Sequence, residues 1–172
     1  MSESLDETEI CSKICGSKCC RSTPPALTSI DFERIAKIKE GETWYTKLNQ
    51  EKKDIFVISK KEKSDDCFFL SVNGLCAIYE NRPLDCRLFP LFLKIKKIDD
   101  ISYNLKWLVW YCSLTEAIGI ENLQTRSRSL IESKLSQNPE EIFEYQEAMY
   151  LSKGYKRKHF LIEERLKIRE SD

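Results

Sequence analysis

Histidine is almost missing from this 172-residue chain: the single copy, His159, lies in a basic tail and reads as a solvated surface residue rather than a metal ligand. No glycine-rich phosphate loop of the G-x-G-x-x-G or G-x-x-x-x-G-K type occurs, so there is no nucleotide cradle to assign. Charge of one sign is missing too. The 28 Lys and Arg cancel the 28 Asp and Glu, which removes the global attraction that non-specific nucleic-acid binding requires, and no nucleic-acid partner is expected. No apolar run approaches the length of a membrane span, and the acidic start lacks the basic and apolar regions of a secretory signal, so the chain reads as cytoplasmic with no membrane partner.

What the chain has is cysteine. Cys11, Cys15, Cys19 and Cys20 form one group, and Cys67, Cys76, Cys86 and Cys112 follow. In a reducing compartment thiols at this density point to a soft-metal site before a disulfide framework. Cys19 and Cys20 weigh against disulfides as well. A bridge needs Cα atoms about 4.4–6.8 Å apart, and adjacent ones are only about 3.8 Å apart.

The length fits one domain over 1–172, with a cysteine-bearing core at 11–115 and a helical extension at 116–172. Cys11, Cys15 and Cys19 fall at i, i+4 and i+8, the spacing of one helix face, while Gly16 and the lysines allow a loop equally well. Thr28 and Asp31 predict a capping box that opens a helix with Ile30, Ile35 and Ile38 on its apolar face, running to a stop at Gly41. Residues 54–59 predict a strand. Residues 67–72 and 75–79 predict a hairpin turning on Asn73 and Gly74, which pairs Val72 with Leu75 and separates Cys67 from Cys76 by about 13 Å.

Asn81 is placed as the cap of a short helical turn presenting Cys86 and Arg87 before Pro90 ends it. Strands at 91–96 and 103–109 follow, then helices at 118–135 and from Asn138 to Met149, and a charged tail after Gly154. The fold class is α+β: a small antiparallel sheet, with the N-terminal cysteine segment and first helix against it, and a helical C-terminal part.

Several motifs run in order: the cysteine run, the Pro and Leu-Thr-x-x-Asp helix start, CFFL at 67–70, CAIYE at 76–80, NRP at 81–83, DCR at 85–87 and FP at 89–90. In these the chain resembles the CxxCxxCC cysteine-cluster family, YkgJ-like zinc- or iron-chelating domain proteins. It departs from the family in its first run, which is C-x3-C-x3-C-C where the family has C-x2-C-x2-C-C, and Cys11 is the residue this displaces most. The resemblance implies a metal-binding protein with the eight cysteines as ligands.

Zinc sites favour paired C-x2-4-C hooks, and here a second hook is missing. A [4Fe–4S] cluster, one or two per chain, accepts ligands gathered singly from several elements and is favoured, with zinc the alternative. Tyr79, Arg82 and Arg87 are candidates to line the cofactor or bind an anion. Arginine pairing with Asp85 or Glu80 is the plainer role for the two guanidiniums. Three functions stay open: an iron–sulfur protein with a redox or protein partner, a zinc-stapled interaction module, and a protein-modifying enzyme such as a lysine methyltransferase.

Overall fold

The N-terminal cysteines do not ride one helix. In the computed structural model, which describes residues 6–22, 24–41, 43–153 and 160–168, Asp6 caps a single turn, α1 (Glu7–Glu9). This widens into a π-helical turn, Ile10–Ile14, closed by Cys15 N–H on the Ile10 carbonyl at 2.9 Å. Gly16 and Ser17 then adopt left-handed φ of 64° and 55°, which ends the helix, and a 3-10 turn follows at Lys18–Arg21. Cys11 and Cys15 therefore sit before a sharp break, with Cys19 and Cys20 beyond it. The i, i+4, i+8 alignment fails at the third residue because Gly16 redirects the chain.

After β1 (Ala26–Leu27), the capping box forms as predicted and opens α2 (Ser29–Ala36): Thr28 accepts from Asp31 N–H, and the Asp31 carboxylate accepts from Thr28 N–H. α2 stops well short of Gly41, so its apolar face ends at Ile35, and Ile38 is exposed. Strand β2 (Tyr45–Gln50) turns into β3 (Lys53–Ile58) through Glu51 and Lys52, both left-handed at φ 52° and 65°. With β1 they make an antiparallel sheet of order β1-β3-β2. β2 was not foreseen. It buries no residue fully, and its turn uses two non-glycine residues where a sequence reading looks for Asn-Gly.

The predicted hairpin at 67–79 is a pair of turns instead of two strands. Ser71 N–H bonds the Leu75 carbonyl and Ala77 N–H bonds that of Phe69, so the loop has three residues, Val72, Asn73 and Gly74, with Gly74 at φ 79°. Leu70 thus faces Cys76, one residue out of the expected register. A 3-10 turn, Tyr79–Asn81, leads into α3 (Leu84–Leu88). Pro83, not Asn81, occupies the position ahead of α3, and the open Leu84 N–H is met by the distant Asp31 carboxylate at 3.1 and 3.2 Å.

β4 (Leu91–Lys97) and β5 (Ser102–Val109) pair antiparallel as predicted. The helical part comprises α4 (Ser113–Ile118), α5 (Ile120–Gln137) and α6 (Pro139–Leu151), with Gly119 at φ 85° dividing the first two. Beyond it the chain returns as β6 (Phe160–Lys167), pairing along the whole of β5. The charged tail is in this part a strand, giving a second sheet of order β4-β5-β6. Its pattern is masked by Glu164, which turns inward to accept from Trp107 Nε1 at 2.7 Å. His159 lies outside the described residues.

The α+β class stands, with two small antiparallel sheets in place of one. Each has its own core. Leu91, Leu93, Leu105 and Trp107 meet Ile131, Ile142 and Tyr145 in one, and Leu27, Ile35, Trp44, Ile58, Phe69 and Ile78 form the other. Trp107 is therefore core, while Tyr111 is exposed and Trp110 packs edge-on to Phe89 at 5.6 Å. Among the described residues no helix is long and apolar enough to cross a membrane.

Candidate metal centre

The cysteines fall between the two cores. Cys11 and Cys112 pack against the first; Cys67 and Cys76 pack against the second. All eight thiols are free of disulfides; Cys15 is buried and the others are partly buried. A cavity of about 510 Å³ opens between the cores, walled by Cys11, Cys19, Cys20, Cys67, Cys76 and Cys86. Cys15 and Cys112 are not among its walls.

Local structure explains how distant thiols meet. Cys67 N–H donates to the Cys20 carbonyl at 2.6 Å, which stitches the N-terminal run to the second group. Leu70 N–H then bonds the Cys67 carbonyl, folding Cys67 back towards Leu70 and so towards Cys76 opposite it. The extended arm behind the expected 13 Å offset is replaced by this turn, and Cys67 and Cys76 feel one another electrostatically. Cys86 reaches the same wall from α3, whose orientation is fixed where the Asp85 carboxylate accepts from Ala26 N–H at 3.2 Å.

Gly74 locks the turn onto the first cysteine segment. The buried Ser17 hydroxyl donates to the Gly74 carbonyl at 2.6 Å, and a Cβ at Gly74 would stand 3.3 Å from that hydroxyl and 3.5 Å from Ser12 Cβ. Substituting Gly74→Ala is expected to cost about 1–2 kcal/mol, from the left-handed backbone together with this close approach. Urea unfolding of the reduced protein measures it; no change in midpoint would contradict the turn geometry.

Tyr79, Arg82 and Arg87 all line the cavity. The Arg82 guanidinium lies 3.7 Å from the Tyr79 ring centroid, and its Nε donates to the Tyr79 carbonyl at 3.0 Å. Asp85 is occupied by Ala26, and among the described residues neither Arg82 nor Arg87 forms an ion pair with a carboxylate. The plainer pairing role is thus not the one seen. A residue the sequence reading under-used is Asp31, taken only as a cap. It also holds Leu84 and Arg34, and Arg34 Nη2 in turn donates to the Arg82 carbonyl at 2.9 Å.

Burial sets the electrostatics. It pushes Cys11 up to about 12 and Cys67 up to about 11, and raises Cys76, Cys112 and, most strongly, Cys86. Cys20 is raised first by a thiol hydrogen bond with Cys19, 3.9 Å away, and then by burial. Neighbouring sulfurs add to these effects in two neighbourhoods. Cys11 feels Cys19, Cys15 and Cys112, and Cys112 feels Cys15 and Cys19. Cys20 feels Cys19, Cys86 and Cys67, and Cys86 feels Cys67, Cys19 and Cys76. Cys19 touches both sets.

Among the described residues no three His, Cys, Asp or Glu side chains converge closely enough to enclose a single metal ion. The sulfurs ring a space instead of meeting at a point. Soft thiols around such a space, none of them in a disulfide, are a donor set that suits a thiophilic metal group.

A family model described as "Putative zinc- or iron-chelating domain" matches residues 10–113, more than half of the chain and a span that includes every cysteine. The chain belongs to the CxxCxxCC family. No curated protein and no solved structure matches it. Membership gives the CxxCxxCC protein a zinc- or iron-chelating character without choosing between the two metals.

Proposed function

We propose that this CxxCxxCC protein carries a [4Fe–4S] cluster in the cavity, held by Cys20, Cys67, Cys76 and Cys86, and serves electron transfer with a protein redox partner. The observation carrying this reading is six thiols ringing one space of about 510 Å³ without closing on a point. A lone zinc ion with bonds of about 2.3 Å fills a sphere of only roughly 50 Å³. A cube with four iron corners is a larger object and accepts thiolates supplied one at a time by separate elements. The four residues named come from a 3-10 turn, two facing turns and a short helix, each positioned by backbone contacts described above.

When bound, such a cluster supplies one-electron chemistry. The residues of this chain do the rest. Ile58, Phe69 and Leu114 give the cavity an apolar share of wall, and Arg82 and Arg87 bring positive charge to it, favouring an anionic, thiolate-ligated group. A reducing compartment such as the cytoplasm suits this reading, since thiolate ligands persist there.

Anaerobic purification with iron and sulfide analysis tests the reading. The expected result is a brown protein absorbing near about 400 nm with about four irons per occupied centre. Colourless protein with stoichiometric zinc, unfolding on chelation, would overturn it in favour of a zinc-stapled module.

A further inference from the structure

Seven charged side chains line the cavity, three of them carboxylates and four of them cations. All three carboxylates are engaged elsewhere: Glu7 pairs with Arg126, Asp65 pairs with Lys60 at 2.9 Å, and Asp85 accepts from Ala26 N–H. Arg82 and Arg87 are the cations left over. Both are half-buried, and among the described residues the Arg87 guanidinium donates no hydrogen bond at all. Two guanidiniums without a counter-charge in one concave space are a seat for an anion.

Arg82 is held ready for this. Its guanidinium stacks on the Tyr79 ring at 3.7 Å, its Nε donates to the Tyr79 carbonyl, and its own carbonyl is fixed by Arg34 Nη2. One face and Nε are thus occupied, and the two Nη groups remain as a flat fork. Its charge opposes the burial that raises Cys76 and Cys11, so the fork stands beside the thiols. A planar fork matches a carboxylate. A phosphoryl group calls in addition for a cradle of backbone N–H groups, and the cavity offers little of one: Leu84 N–H, which opens α3, is taken by Asp31, and the chain has no glycine-rich phosphate loop.

We propose that Arg82 and Arg87 bind the carboxylate of a small organic acid, whose apolar body lies against the apolar share of the cavity wall. The cavity is then a ligand site beside the metal group as well as the seat of that group. The site is read from the cations on the wall, so it stands whichever metal the thiols hold.

Calorimetric titration of the full chain at low ionic strength, both as purified without oxygen and metal-free under reducing conditions, tests this with benzoate, acetate and inorganic phosphate. Benzoate is expected to saturate one site per chain in both forms, and to bind at least about tenfold more tightly than acetate, which lacks the apolar body. Arg82→Gln and Arg87→Gln should each weaken benzoate about tenfold or more, while Lys47→Gln, which removes a positive charge outside the cavity wall, stays within about twofold. Near-UV circular dichroism reports folding. Arg87→Gln removes no hydrogen bond seen among the described residues, so it carries the test if Arg82→Gln misfolds. No saturable benzoate binding, or binding untouched by Arg87→Gln, overturns the proposal. Phosphate binding more tightly than benzoate overturns the choice of a carboxylate. Benzoate binding to the metal-free form alone also overturns it, since the two arginines would then serve the metal group only. Iron and sulfide content decides the cluster reading separately, so either can fail without the other.

Discussion

Replacing Asp31 with alanine is expected to remove about 3 kcal/mol or more of folding stability and to slacken the cavity wall that carries Cys86. Asp31 is 1% exposed, and its carboxylate serves three donors from separate segments: Thr28 N–H at 3.2 Å, Leu84 N–H at 3.1 Å and Arg34 Nη2 at 2.6 Å. Alanine leaves the starts of α2 and α3 without their acceptor, each worth about 1 kcal/mol, and strands a largely buried guanidinium. Asp31→Asn keeps one carbonyl oxygen and the side chain's volume, so its loss is smaller. Glu33→Ala, on an exposed position of the same helix, should stay within about 0.5 kcal/mol. Urea titrations of the reduced, metal-free proteins rank the three. If Asp31→Ala lies as close to wild type as Glu33→Ala, Asp31 is not the tie between these segments.

That tie shows where sequence reading reached and where it stopped. The Thr28 and Asp31 capping box was legible because both partners lie within one helical turn. Leu84 was invisible as a third partner, since 53 residues separate it from Asp31 and no local rule spans that gap. The same contrast holds for strands. β4 and β5 are apolar and contiguous, and were read nearly to the residue. β2 buries no residue fully and β6 carries an inward glutamate, so neither shows the alternation that marks a half-buried strand.

The candidate site behaves likewise. Its residue types were plain, because thiol density is a matter of composition. Their grouping was not, because it depends on two turns with left-handed residues. The break at Gly16 and Ser17 moves Cys19 off the face shared by Cys11 and Cys15, and the three-residue loop ending at Gly74 shifts the 67–79 register by one. The arms behind the expected 13 Å offset between Cys67 and Cys76 are turns and not strands, so that offset no longer describes the site.

Metal uptake by the reduced, metal-free protein should fall about ten-thousandfold for each unit of pH lowered between 8 and 6, if four thiolates close a centre. The sign follows from burial. Cys67 is held up to about 11 and Cys11 up to about 12 against an ordinary 9.0, so both are neutral near pH 7, and each must release a proton when it ligates. Affinity therefore changes tenfold per pH unit per thiol, and four thiols multiply. Zinc competition titrations at three pH values read the slope directly: a value near four supports a closed thiolate set, and a value near one would contradict it. Stability of the metal-free chain carries the opposite signature. Raised folded-state values favour the neutral thiols, so this contribution is fully present below about pH 9 and is lost as pH climbs through 11 and 12. Near-UV circular dichroism is thus expected to report loosening between about pH 9 and 12 for the metal-free protein. The Cys67→Ala variant lacks one of those buried thiols, and its alkaline loss should be shallower than that of wild type.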